Sequence, residues 1–437
     1  MRKSALTLAG FVLIIFGLWG MADTLNLFPY DAAKFAISFT QLSGLLAIGM
    51  MAFATLLAVR PAWLESAFGG LDKMYRLHKW LGIGGMAVGV AHWLLAANPD
   101  GRHGPPAAGA AQASQSLLQS LHGPAHGVAQ PALWIMLALV AIALIKKFPY
   151  HIFSLTHRLV PLVFLALAFH SAVLMKADYW SQPIGWLMGA IYLVGSLSAL
   201  TALFRMTGLG RKVEATVIAK THMPEVHSLL VDMQMGKGWK GHKPGQFAFV
   251  GSSQRWSAHP FTIASDWNPA TGKISFIVKE LGDATRGLDQ KLPVGARLRV
   301  EGPYGRFNFE DSKPRQIWVS GGIGITPFVA RMKELARTGG PAHIEAIDLF
   351  HSDVVDETAA YDLMKEDAAR AGVKLHLNIT PRHGRLTGAR IREAVPNWKD
   401  ASVWFCGPTA FAAALKLDLV RQGLKAQDFH HELFEMR

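Results

Sequence analysis

The sequence predicts a multidomain membrane protein: a six-helix transmembrane bundle, then an antiparallel β-barrel, then an α/β domain with a parallel sheet. Three observations carry this. Residues 1 to about 205 hold six long apolar runs, at about 6–22, 35–59, 80–97, 131–145, 159–175 and 183–204. After Met206-Thr207-Gly208 charges become frequent, and short β-branched runs alternate with turns such as Asn268-Pro269 and Gly302-Pro303. The last third alternates strands with helices, the signature of a parallel sheet covered by helices. The expected boundaries are 1–208, 209–312 and 313–437.

Composition narrows the class. Hydrophobic residues make up 51% of the 437 and charged residues 17%, which excludes a disordered chain and an ordinary soluble enzyme. One cysteine, Cys406, excludes an internal disulfide, a cysteine-based zinc site and an iron–sulfur cluster held by this chain alone. The net charge of +13 could point to nucleic acid, but 13 of the 44 Lys and Arg precede residue 209, mostly at the ends of apolar runs. They read as membrane-flanking cations facing lipid, and no nucleic-acid partner is expected.

Several runs reach the roughly 20 residues needed to span a bilayer, the third and fifth only if His78 and His157 are counted at their starts. Arg2, Lys3, Arg60, Lys73, Arg76, Lys146, Lys147, Arg158, Arg205, Arg211 and Lys212 gather at alternate ends, against Lys34, Arg102 and Lys176 at the others. The positive-inside rule then puts both termini in the cytoplasm, as in a multi-pass inner-membrane protein. The first run lacks a good small-x-small cleavage site and is read as a span rather than a signal peptide. The segment 98–130, with His103, His122 and His126, reads as a loose extracytoplasmic loop. Metal capture is the alternative there, and Gly123-Pro124 argues against a helix.

Span three carries His78 and His92, and span five carries His157 and His170, at spacings of 14 and 13 residues. A histidine in hydrocarbon needs a partner. At about 1.5 Å rise per residue each pair is separated by roughly 20 Å along its helix. That suits two stacked haems, each gripped by one imidazole from each span: His78 with His157, and His92 with His170. Zinc is the rival ion, but no carboxylate or thiol sits near either pair. One difficulty stands: 13 residues at about 100° each turn roughly 220°, so His157 and His170 do not share a face of a straight helix. Pro161 bends the start of that span in this reading.

In the soluble half, Val213–Ala219, His227–Met233, Phe247–Val250, Ile274–Lys279 and Arg297–Glu301 are strand candidates. The rigid segment His259-Pro260-Phe261-Thr262-Ile263-Ala264-Ser265 can lie along a flavin. In Lys279-Glu280-Leu281-Gly282-Asp283-Ala284-Thr285-Arg286 a strand turns through Gly282 into an expected helix, whose free N–H groups suit phosphate. Strand Ile317–Ser320 leads into Gly321-Gly322-Ile323-Gly324-Ile325-Thr326-Pro327 and a helix from Phe328, a dinucleotide-binding arrangement. Strand Val403–Phe405 ends in Cys406-Gly407-Pro408, where Cys406 is expected beside nicotinamide. Ser352, Arg382 and Arg385 lie where loops would meet a 2′-phosphate, so NADPH is favoured over NADH, against the charge of Asp353.

Taken in order, these motifs resemble the ferric reductase and NADPH oxidase superfamily, in a bacterial form. Leu42–Met175 resembles that family's haem domain, with His78, His92, His157 and His170 at its four ligand positions. The rest resembles a ferredoxin–NADP reductase module. There His259–Ser265 matches the flavin-contact segment, Gly282–Thr285 the flavin-phosphate segment, Gly321–Pro327 the dinucleotide loop and Cys406–Pro408 the nicotinamide side. The resemblance implies an FAD-binding barrel, two b-type haems, and electron flow from NAD(P)H through FAD and both haems to an extracytoplasmic small-molecule acceptor, a ferric chelate or dioxygen. An electron-transfer subunit feeding a protein partner or quinone is the alternative. It also implies an aromatic near the C-terminus over the flavin, for which Phe434 is the candidate. No calcium-binding EF-hand pattern is visible.

Overall fold

A computed structural model describes residues 2–23, 32–97, 117–145, 147–148, 150–252, 256–281, 285–356 and 358–431. The chain divides into two compact units, one ending at Thr207 and the other starting at Gly208.

The first unit is helical: α1 (Arg2–Ala22), α2 (Ala32–Ala58), α3 (Ala62–Phe68), α4 (Leu71–Ala97), α5 (Leu117–Leu144), α6 (Tyr150–His157), α7 (Val160–Leu174) and α8 (Pro183–Leu203). Among the described residues five stretches are long and apolar enough to cross a membrane: Lys34–Ala58, Leu71–Ala97, Ser120–Leu144, Ile152–Leu174 and Pro183–Leu203. The apolar part of α1, Leu6–Ala22, is shorter. α2 is the most buried of the five and packs against α4 and α8. Close approach needs small side chains: a Cβ on Gly195 would lie 2.8 Å from both Ala52 Cβ and Phe164 Cζ. Leu13, Leu94, Trp186 and Leu193 stay exposed, as on a surface facing hydrocarbon.

α1 is built into this unit. Ile15 and Trp19 are buried in its core. The Asp23 carboxylate accepts from Lys176 Nζ at 2.8 Å and from Tyr179 OH at 2.7 Å, and Lys176 Nζ also donates to Ser38 Oγ at 3.1 Å. A buried carboxylate is tolerable because these donors satisfy it.

One expectation is corrected here, and the bend expected near Pro161 takes the form of a break. Residues 117–130, read as loop, belong to α5, which runs through Pro124 and Pro131. Proline removes one helical hydrogen bond, but apolar helices in membranes tolerate that loss. The fifth span is not one rod: α6 ends at His157 and α7 restarts at Val160, with Pro161 in its first turn.

The second unit holds two sheets. The antiparallel one comprises β1 (Lys212–Met223), β2 (Ser228–Met235), β3 (Phe247–Ser252), β4 (Trp256–Thr262), β5 (Lys273–Lys279) and β6 (Arg297–Tyr304), in the order β4-β3-β6-β1-β2-β5. The edges β4 and β5 meet through a bridge between Ile263 and Phe276, not through a continuous ladder, so the expected barrel is a six-stranded sheet with its edges pinned at that point. Alternation on β2 and β5 turns Leu229, Val231, Met233, Ile274, Phe276 and Val278 inward.

The parallel sheet comprises β7 (Arg315–Gly321), β8 (Ala346–Asp353), β9 (Lys374–Ile379), β10 (Ala401–Cys406) and β11 (Phe429–His431), in the order β11-β10-β7-β8-β9. Its central strands β7 and β10 are almost wholly buried, as a sheet covered on both faces requires. After the single turn α9 (Leu288–Lys291), helices α10 (Thr326–Thr338), α11 (Thr358–Arg370) and α14 (Thr409–Arg421) connect the strands, with the short α12 (Thr380–His383) and α13 (Gly388–Ala394) between β9 and β10. Arg337 on α10 ties the two sheets together by pairing with Asp266 at 2.5 Å.

Candidate redox and nucleotide site

The four intramembrane histidines meet in two pairs. The His78 and His157 rings lie 6.1 Å apart between centroids at 73°, and those of His92 and His170 lie 6.4 Å apart at 72°. A metal–imidazole bond of about 2.0–2.1 Å on each side, plus about 1.1 Å from nitrogen to ring centre, puts two rings on one ion at about 6.3 Å. Both pairs have that separation, and so do the rings of His126 and His170, at 6.3 Å and 78°. Three rings are oriented from behind: Nδ1 of His78 bonds Ala54 O at 2.8 Å, that of His92 bonds Thr40 O at 3.0 Å, and that of His170 bonds Ala125 O at 2.9 Å. A carbonyl on Nδ1 fixes the proton there and leaves Nε2 as the metal-binding nitrogen. His157 Nδ1 is buried with no hydrogen-bond partner. Gly44 is part of the arrangement, because a Cβ there would lie 3.1 Å from the His92 ring. The residues therefore fit iron held between paired imidazoles. The break between α6 and α7 explains how His157 and His170 both face α4 despite their 13-residue spacing.

In the second unit, β4 carries His259, Pro260, Phe261 and Thr262 in register with Val250, Phe249, Ala248 and Phe247 of β3. Ser265 stitches this segment to its neighbours: its Oγ accepts from the Ser275 N–H at 3.1 Å, and its carbonyl takes a hydrogen bond from His242 Nε2 at 3.0 Å. Gly282, Asp283 and Ala284 lie outside the described residues. Around them, Thr285 Oγ1 accepts from Leu281 N at 3.0 Å, and Glu280 Oε1 accepts from Gly287 N at 3.0 Å. The helix expected after Gly282 is corrected: only the single turn Leu288–Lys291 follows, because residues 285–287 form a turn first. Phe434 also lies outside the described residues, as does His103.

The two glycine-containing loops meet. β7 and β10 are parallel neighbours, with Cys406 beside Ser320. A Cβ on Gly324 would lie 2.2 Å from the Cys406 carbonyl oxygen, and one on Gly321 would lie 2.9 Å from Pro408 Cδ. Gly407 in turn abuts the Gly321 N–H, where its own Cβ would sit at 3.0 Å. Gly322 takes φ +54°, and Thr326 Oγ1 closes the turn on Ile323 O at 2.7 Å before Pro327 opens α10. The Cys406 side chain itself is 3% exposed and packs in the core with Ile325 and Phe328, so the backbone, not the thiol, forms this contact.

The sequence placed Lys279 only at the head of the flavin-phosphate segment. Its amine lies 3.9 Å from where a Gly322 Cβ would be, which brings a cation from β5 to the dinucleotide loop. Sequence reasoning missed Arg390. Ser352 Oγ accepts from Asn378 Nδ2 at 3.3 Å, and Asn378 Oδ1 accepts from Arg390 Nη1 at 2.7 Å. Arg382 is exposed on the turn Thr380–His383 and ion-paired with Asp356, while Arg385 is exposed beyond it. The Asp353 carboxylate is engaged locally, its Oδ1 accepting from Val354 N at 2.6 Å and its Oδ2 lying 3.7 Å from His351 Nε2. Beneath them His351, buried and so held below its usual pKa, bonds Ser320 Oγ through Nδ1 at 2.8 Å.

Residues 43–168 match the family described as the ferric reductase like transmembrane component, a segment that includes His78, His92 and His157. Residues 216–308 match an FAD-binding domain. The chain is 27% identical over 178 residues to an NADPH oxidoreductase of Mycobacterium tuberculosis, covering 38% of this chain and 46% of that protein. It is 25% identical over 346 residues to a superoxide-generating NADPH oxidase heavy chain of Dictyostelium discoideum, covering 63% of this chain and 62% of that one. Respiratory burst oxidase homolog protein E of Arabidopsis thaliana is 28% identical over 213 residues, 43% of this chain and 22% of its own length. The chain thus spans about half the length, or less, of most of these relatives.

Proposed function

We propose that this chain, which carries a ferric reductase like transmembrane component and an FAD-binding domain, is a transmembrane NAD(P)H oxidoreductase that delivers electrons to an acceptor on the far side of the membrane. The observation that carries the reading is the pair of histidine couples, each at the separation of two imidazoles on one ion, in the same chain as a dinucleotide loop. Bound FAD would take two electrons from NAD(P)H and release them singly, and two b-type haems would relay them across the bundle.

The protein's own contribution is placement. His78 and His157 would hold one iron, and His92 and His170 the other, with backbone carbonyls fixing three of the rings. Because two imidazoles would hold each iron, these residues would support electron transfer and would not offer the metal itself to the acceptor. Pro260, Phe261 and Thr262 would line the flavin, and the turn closed by Thr285 would hold its phosphates. Gly321, Gly322 and Gly324 let backbone approach a pyrophosphate at the start of α10, with Lys279 supplying charge. Gly407 and Pro408 would border the nicotinamide. NADPH is the favoured donor, because Ser352 is coupled through Asn378 to Arg390 and the Asp353 carboxylate is engaged locally. The Dictyostelium relative is a superoxide-generating oxidase by name, so dioxygen stands beside ferric chelates as an acceptor. Both termini are assigned to the cytoplasm from the Lys and Arg distribution.

Membranes containing only this protein test the reading. NADPH should reduce a ferric chelate or dioxygen without any added protein. Haem reduction without turnover of either acceptor would favour an electron-transfer component that feeds a protein partner or quinone. Absence of haem reduction would refute the proposal.

A further inference from the structure

The four paired rings are not oriented alike. Nδ1 of His78 and Nδ1 of His170 each meet one backbone carbonyl, and among the described residues that of His157 meets nothing. His92 differs from all three. Its Nδ1 lies 3.0 Å from Thr40 O and also 3.2 Å from a side chain, the hydroxyl of Ser43. The hydroxyl's own proton settles its role. Ser43 Oγ donates to Thr40 O at 2.8 Å, so a lone pair, not the proton, faces the ring. The Thr40 carbonyl at the same nitrogen requires a proton on Nδ1. Carbonyl and hydroxyl therefore share one imidazole N–H, as a three-centre hydrogen bond.

The contact is built into α2. Ser43 is buried. Its neighbour Gly44 lets the ring close on the helix, since a Cβ there would lie 3.1 Å from the ring. Gln41 pins the same turn to the end of α7, the helix that carries His170. Its Nε2 donates to Leu174 O at 3.2 Å, and its Oε1 accepts from the Lys176 N–H at 3.3 Å. The hydroxyl is thus held at the ring by a stretch of α2 fixed to both ligand helices.

We propose that Ser43 is a positioning residue that lowers the reduction potential of the iron held by His92 and His170. This rests on the paired-histidine haem reading above. An acceptor on the N–H side makes an imidazole a stronger donor through its other nitrogen. A stronger axial donor favours ferric over ferrous iron, and hydrogen bonds behind the ligands are one of the protein's means of setting that balance. The His78–His157 couple has no side chain in the equivalent place among the described residues. With both termini assigned to the cytoplasm, the His92–His170 couple is the one nearer the acceptor. Ser43 then adds driving force to the last one-electron transfer, at the expense of the transfer between the irons.

Potentiometric titration of the purified, haem-loaded full-length protein tests this, followed by haem absorption and by electron paramagnetic resonance of the ferric state. Ser43→Ala should raise one midpoint and leave the other in place, with two haems per chain retained. At a fixed potential the ferrous-to-ferric ratio of the affected haem should rise roughly two- to tenfold, the worth of one hydrogen bond. A tenfold rise is about 59 mV for a one-electron couple. The ferric g values of that haem should shift as well. Ser43→Thr restores the hydroxyl and should return both midpoints. Ser43→Val, with the shape of threonine but no hydroxyl, should behave as Ser43→Ala. Unchanged midpoints in the alanine and valine variants, equal midpoints in the threonine and valine variants, or an equal shift of both haems overturns the proposal. Haem loss from all three variants also overturns it, because the side chain would then serve packing and not the potential. Failure of the haem reading would show separately, as unsubstituted protein without two low-spin haems.

Discussion

Gly324→Ala is the sharpest probe of the proposed nucleotide site. The added methyl would fall 2.2 Å from the Cys406 carbonyl oxygen and 2.6 Å from its carbon. Those are backbone atoms at the end of a fully buried strand, so they cannot yield as a flexible side chain would. Relief requires the Gly321–Ile325 turn to move away from β10, which opens the junction proposed to seat the dinucleotide. Overpacking of this kind costs about 1–3 kcal/mol. If the cost falls on the nucleotide-competent arrangement, NADPH affinity drops roughly 5- to 150-fold. The assay is rapid-mixing flavin reduction over a range of NADPH concentrations, with flavin content measured alongside. Gly210→Ala is the control, since nothing lies within 4 Å of its Cβ position. Gly321→Ala, which would press on Pro408 Cδ at 2.9 Å, should give a milder defect because a proline ring can shift slightly. Wild-type NADPH affinity in Gly324→Ala, with normal flavin content, would refute the assignment.

Three further outcomes follow from particular residues. Burial, only partly offset by the bond to the Ser265 carbonyl, holds His242 at about 4 against an ordinary 6.5. The unfolded chain therefore binds the proton first, and the stability of the second unit should fall as pH drops from about 6.5 towards 4, by about 3 kcal/mol at most; thermal release of flavin from His242→Phe should lose that dependence. Arg382→Ala should lower the NADPH to NADH ratio of kcat/KM about tenfold to a hundredfold, the value of one charged phosphate contact. Its exposed pairing with Asp356 holds the arginine only weakly, so an unaltered ratio would remove Arg382 from the site. A reporter at the C-terminus should be cytoplasmic and a tag within residues 107–116 external, and finding both on one side would break the proposed electron path.

Much of this architecture could be read from the sequence because it depends on local pattern. The histidine spacings, the apolar runs and the glycine-rich loop each lie within one segment. What was hidden depends on contacts between segments or on exceptions to local rules. Gly123-Pro124 reads as a helix breaker, yet α5 continues through it, since hydrocarbon leaves an apolar chain few alternatives to helix. On the fifth span Pro161 marked a bend, but the full break after His157 that reconciles the 13-residue spacing is not displayed by any periodicity. Lys279 and Arg390 reach their sites from strands and helices distant in sequence. Cys406 sat at the expected strand end, but the strand's pleat turned its thiol into the core and left the carbonyl to meet Gly324.

The most direct measurement is the haem content and spectrum of the purified full-length protein, compared with a variant carrying His78→Ala, His92→Ala, His157→Ala and His170→Ala. Two b-type haems per chain are expected, low-spin with two imidazole ligands and reducible by NADPH, and none in the variant. Full haem content without those four histidines, or a high-spin spectrum in the unsubstituted protein, would contradict paired-histidine ligation and the electron path built on it.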